Sequence, residues 1–122
     1  MPLTLPASST RVDLDDMRRR LGADDELISD LLALFLEDYP ATMTALERAV
    51  RARDIDGARR GAHSLKGSAS NMSAHGVVAA AAALEAAATR AEADAFDSLF
   101  ATLASEIGEL SAELTGAQPG TR

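Results

Sequence analysis

Apolar residues recur along this chain at intervals of three and four, the spacing of helices with one buried face. A short helix is expected from Asp13 to Leu21, closed by Gly22. Asp24 caps the next, in which Leu27, Ile28, Leu31, Leu32, Phe35 and Tyr39 keep the helical period. Pro40 should kink or break that helix, but the period resumes at Met43, Leu46, Ala49 and Val50, so one long kinked helix is read to about Arg53. Asp54 caps a third helix reaching about Met72, and Ser73 to Gly76 form a turn. The Ala-rich stretch Val77 to Arg90, punctuated by Leu84 and Glu85, reads as a fourth long element, since alanine is the strongest helix former. A last helix runs from about Ala93 to Leu114, with Phe96, Leu99, Phe100, Leu103, Ile107, Leu110 and Leu114 on one face. No strand-like alternation appears. The short connections predict antiparallel neighbours, so the fold class is an all-α up-down bundle over residues 12–115, with disordered tails at 1–11 and 116–122.

Composition narrows the function more than the fold. Hydrophobic residues make up 47% of the 122-residue chain and aromatics only 3%, so the core must be built from Leu, Ala, Val, Ile and Met. A net charge of −7 argues against nucleic acid as a partner, because phosphate backbones reward a basic face. Without cysteine there is no disulfide, thiolate nucleophile or Cys-type zinc site. No signal peptide is visible, and no run of about 18 uncharged apolar residues suggests a membrane span. A cytoplasmic, monomeric domain with no membrane association is therefore expected.

The candidate chemistry lies in AHSLKGSASNM, residues 62–72. Ile55, Ala58, Ala62, Leu65, Ala69 and Met72 are spaced 3, 4, 3, 4, 3 and form the buried stripe of the third helix. His63 then lies about 130° from the centre of that stripe, and Gly67 and Arg60 about 170° from it. Lys66 sits at the boundary. Glycine inside a helix costs roughly 1 kcal/mol relative to alanine. Facing outwards, Gly67 cannot serve packing within the bundle. It leaves bare backbone one turn beyond an exposed imidazole, where another molecule could come close. Arg59, Arg60 and Lys66 lie within one turn of His63 and would form a local basic patch in an acidic protein. Such a patch stabilises an added phosphoryl group or attracts an acidic partner. A neutral imidazole is an available nucleophile.

Each feature alone has a plainer explanation: surface histidines, solvated arginines and tolerated helix glycines are all common. Their conjunction carries the functional reading. At this point the chain resembles the histidine-containing phosphotransfer (HPt) domains of bacterial two-component phosphorelays, whose core motif is His-x-x-Lys-Gly within a helix. The resemblance spans roughly Asp13 to Leu114 and includes LLALFLEDYP, the approach to the histidine helix, and the Leu84–Glu85 pair. It implies an antiparallel four-helix bundle with a short extra N-terminal helix. It also implies that His63 is the phosphoacceptor, that Lys66 assists electrostatically, and that Gly67 gives a receiver domain steric access. The partners implied are a response-regulator receiver domain, which supplies an aspartate and Mg²⁺, and a sensor histidine kinase, hybrid or otherwise. The family often has glycine ten residues after the histidine, where this chain has Ser73.

The chain contains no Gly-rich nucleotide-binding loop, so a phosphocarrier is expected and not a kinase. Arg59, Arg60, Ser70 and Asn71 are candidate partner contacts, Ser70 and Asn71 being equally compatible with plain solvent exposure. Phe35 reads as core, and Tyr39 as core or as surface near His63. His75 reads as a turn or cap residue, and no His-x-x-x-His spacing supports a metal site. The alternative reading is an HPt-like module that docks receiver or kinase domains without carrying phosphate. Met1 and the polar tails lean towards a stand-alone protein.

Overall fold

The computed structural model describes residues 11–116. Its helices are α1 (Leu14–Leu21), α2 (Asp25–Arg51), α3 (Ile55–Asn71), α4 (His75–Thr89) and α5 (Phe96–Thr115), the last entered through a 3₁₀ turn at Ala93–Ala95. No strand occurs among the described residues. Neighbours in sequence pack as neighbours in space, α2 on α3, α3 on α4 and α4 on α5, and α2 against α5 closes the ring. The result is a four-helix bundle, with α1 resting on α2. The expected tails fall outside the described residues except at their inner edges. There Gly116 closes α5, and Arg11 is already part of the bundle: its guanidinium bonds Glu106 and Glu109 and its backbone N–H donates to Glu113.

The caps follow the sequence where the sequence offers one. Asp13, Asp24 and Asp54 accept hydrogen bonds from the N–H groups of Asp16, Leu27 and Gly57 at the starts of α1, α2 and α3. α2 passes through Pro40 as the single long helix that the resumed period predicts. The proline is exposed, and buried residues on both sides of it, Leu32 and Phe35 before and Leu46 and Ala49 after, hold the helix together by tertiary packing. One expectation needs correction: the turn after α3 is shorter than Ser73 to Gly76, because His75 and Gly76 already belong to α4. α4 starts at Ala74 without a side-chain cap. Instead the Glu106 carboxylate of α5 occupies the space that a Cβ on Gly76 would need. A negative group beside the first turn of a helix is favourable by about 0.3–1 kcal/mol, and glycine is what lets it approach.

The last three interhelical corners share one construction, whereas α1 ends on a left-handed glycine, Gly22 (φ 76°). The residue after each of the other C-caps has a left-handed backbone: Arg53 (φ 55°), Ser73 (φ 52°) and Ala91 (φ 56°). The following N–H of Asp54, Ala74 and Glu92 bonds back to the carbonyls of Ala49, Ala69 and Ala87, the closure of a Schellman turn. Glycine is the usual residue at that left-handed position, and an L-residue there costs roughly 1–2 kcal/mol. Two of these three compensate with side-chain bonds. Arg53 donates to the carbonyl of Val50 and, bidentately, to Asp97. Ser73, buried, donates its hydroxyl to Asp16 at 2.6 Å and accepts from Arg20 at 2.7 Å. Arg20 also reaches the carbonyl of Asn71, and the backbone N–H of Asp13 donates to the carbonyl of Ser73. Here lies the reason for the absent glycine: Ser73 trades backbone comfort for a polar junction that fastens α1 to the end of the histidine helix. The Ser73 hydroxyl and the Arg20 guanidinium hold the Asp16 carboxyl below the usual aspartate range.

Glycine at Ala91, which has no such side-chain role, should stabilise the fold by about 0.5–1 kcal/mol. Ser73→Gly, at nearly the same φ, should instead lose about 1 kcal/mol as the junction goes. Urea unfolding of both variants measures the contrast, and equal stabilisation would refute the role given to Ser73. The Asp16 pair adds a pH dependence. A carboxylate with a lowered folded-state pKa stabilises above its unfolded value, about 3.9, and loses that contribution as pH falls through the folded value.

Candidate functional site

α3 is held from below by its alanine-rich stripe. Ala58, Ala62, Leu65 and Ala69 are buried, and Met72 just beyond the helix joins them. The opposite face is therefore fixed towards solvent. His63 stands on it with its side chain 67% exposed. Gly67, one turn on, has open space around the position of a Cβ. Backbone is thus bare beside the imidazole, as the angular analysis of the sequence requires.

The neighbouring helix supplies a group that the sequence analysis did not assign. Glu85 of α4, 20% exposed, accepts from His63 Nδ1 at 2.8 Å and from Lys66 Nζ at 2.6 Å. Lys66, with His63 second, holds the Glu85 carboxyl below the usual glutamate range, against the opposing effect of partial burial. An ionised carboxylate can only accept, so the Nδ1 atom of His63 must carry a proton. In the neutral ring Nε2 then keeps its lone pair. One carboxylate accordingly fixes the tautomer and orientation of the imidazole and holds the lysine in place. The signal in the sequence was faint but present: Glu85 is the single charged residue between His75 and Arg90.

The remaining candidates divide. Arg59 and Arg60 are exposed on the turn before His63, but both bond to Asp56, so the expected basic patch is partly neutralised. Ser70 and Asn71 are exposed. At about 1.5 Å rise per residue they lie some 10–12 Å beyond His63 along the axis, out of reach of a group carried on the ring. Asn71 instead edges a groove between α2 and α3 together with Leu31, Leu34, Asp38, Tyr39 and Ser64. Phe35 is buried and stacks on half-buried Tyr39 with centroids 5.4 Å apart, so Tyr39 is both core and groove wall. His75 starts α4, largely exposed, with Nε2 3.4 Å from Asp13. It is not brought to His63. Among the described residues no three His, Asp or Glu side chains gather as a metal site, and no helix is long and apolar enough to cross a membrane.

Comparison with known proteins agrees with this geometry. The family model described as "Hpt domain" matches residues 30–113. The fold is similar to the crystal structure of histidine-containing phosphotransfer protein B from Pseudomonas aeruginosa PAO1, with a TM-score of 0.80 and 25% identity over 89% of this chain and 95% of that one. No curated protein matches. With more than half of its length matched by the family model, and with the bundle fold of a histidine-containing phosphotransfer protein, the chain belongs to the Hpt domain family.

Proposed function

We propose that His63 is the phosphoacceptor, taking a phosphoryl group from a receiver-domain aspartate or a kinase and passing it to the aspartate of a response-regulator receiver. The observation that carries this reading is the Nδ1–Glu85 bond, which leaves Nε2 as the free nucleophile on the exposed side of α3 beside Gly67. In the forward step the Nε2 lone pair attacks phosphorus, the N–P bond forms, and the P–O bond to the aspartyl carboxylate breaks. The ring proton stays on Nδ1, against Glu85. In the return step the receiver carboxylate attacks phosphorus and the ring departs as neutral imidazole, because Nδ1 has kept its proton. Without that proton the leaving group would be the far poorer imidazolate.

The electrostatic part falls to Lys66. Its ammonium can share itself between Glu85 and the phosphoryl oxygens, giving charge-assisted hydrogen bonds to the transferred group. Phosphoryl transfer needs mainly positioning and charge stabilisation, so a rigid helix presenting one nitrogen is sufficient when the receiver brings the aspartate and Mg²⁺. Gly67 lets the receiver's backbone come near.

Incubation with a phosphorylated receiver domain and Mg²⁺ should place acid-labile phosphate on the protein, lost in His63→Gln and retained in His75→Gln. No label, from a folded protein that still binds receivers, would favour the docking-module reading. Glu85→Ala should reduce the transfer rate about 10–100-fold and shift the ¹⁵N signals of the His63 ring from the Nδ1–H towards the Nε2–H tautomer. Because the Glu85 carboxyl is held below its usual range, it is ionised at neutral pH and available there to accept from Nδ1. Gly67→Ala should stabilise the fold by about 0.5–1 kcal/mol, since its Cβ meets nothing. Gly67→Leu should fold equally well yet transfer at least ~10-fold more slowly, a barrier of about 1.4 kcal/mol.

A further inference from the structure

The apolar residues that the bundle leaves uncovered are concentrated on the first half of α2. Among the described residues, Leu27 and Leu34 are the exposed large hydrophobic side chains, at 40% and 53%. Leu34 forms one wall of the α2–α3 groove, whose opposite wall contains Ser64, the residue after His63. A molecule whose reactive group meets the imidazole is therefore in position to rest on Leu34.

The charges around that leucine are unusual for this molecule. Asp30, Glu37 and Asp38 stand at i−4, i+3 and i+4 from Leu34, the positions that surround a residue on a helix surface. All three are exposed, and none has an ion-pair partner among the described residues. The cations elsewhere are nearly all engaged: Arg11, Arg18, Arg19, Arg20, Arg51, Arg53, Arg59, Arg60, Lys66 and Arg90 each pair with a carboxylate. Arg48 is unpaired, but it lies ten residues beyond Asp38, about 15 Å along the axis. Three carboxylates with no ion-pair partner among the described residues thus stand around an exposed leucine at the edge of the histidine face.

We propose that this acid-ringed leucine is a specificity element, selecting receiver domains that present an apolar side chain flanked by lysine or arginine. The inference rests on the phosphotransfer reading of His63 and adds the kind of partner. An apolar centre with an oppositely charged rim supplies contact area at the middle and steering at the edge. The same ring disfavours two other occupants. A second copy of this chain would bring like charges together, and an acidic receiver face would be repelled.

The test uses the full chain, labelled at His63 with phosphoramidate, a donor too small to need docking. Transfer from the labelled protein to a panel of purified receiver domains with Mg²⁺ is timed at low and high salt. The triple variant Asp30→Asn, Glu37→Gln, Asp38→Asn should label normally. It should transfer to the fastest receiver about tenfold more slowly at low salt, with a flatter salt dependence. Leu34→Ser should label normally and transfer slowly at every salt concentration. Unchanged rates and salt slope in the triple variant would overturn the proposal, as would a variant that dimerises on sedimentation while transferring normally, since the acids would then only prevent self-association. Failure of the parent protein to take label at His63 from either phosphoramidate or a phosphorylated receiver would instead remove the phosphotransfer reading, and this inference with it.

Discussion

Small side chains at the meeting of α3 and α4 set the distance on which the histidine site depends. Buried alanines occupy both helices, Ala58, Ala62 and Ala69 on one and Ala80, Ala81, Ala87 and Ala88 on the other, and this is the most extensive helix–helix contact of the bundle. Interaxial separation follows the size of the side chains between helices. A glutamate is short, and it reaches both the imidazole and the ammonium of the adjacent helix only because its own helix lies close. Larger residues in that seam would move Glu85 away from His63 and Lys66 with no change at the site itself.

The site also explains why the charges of α3 matter less as a patch than as a set of pairs. Arg59 and Arg60 are tied to Asp56, and Lys66 to Glu85. Exposed pairs of this kind are worth little to stability. Their effect is to leave the surroundings of His63 nearly balanced in charge, with one lysine whose partner is within exchange distance of the ring. The conspicuous unbalanced charge lies instead on α2, across the groove.

Much of this was legible in the residues. The 3–4 spacing of α3 gives its buried face and, by subtraction, the outward positions of His63 and Gly67. The aspartates at 13, 24 and 54 mark helix starts because only such side chains reach the free N–H groups. What the sequence concealed depended on contacts between distant segments. Ser73 reads as a lost glycine until Arg20 and Asp16 arrive from α1. Glu85 reads as an interruption in an alanine run until α3 is laid beside it. Each concerns a partner more than ten residues away, beyond the reach of periodicity.

The junction of α4 with α5 has a consequence for the order in which the molecule is built. α4 brings no capping side chain of its own, and the carboxylate beside its first turn comes from Glu106 on the last helix, which Arg11 also engages. An isolated helix of this length is marginal in water. A chain that has made α4 but not yet docked α5 has that helix packed on α3 but lacks its α5 face and the counter-charge beside its first turn. The helix bearing Glu85 is fully held only with α5 and Arg11 in place, so the site draws on parts of the bundle that contribute no residue to it.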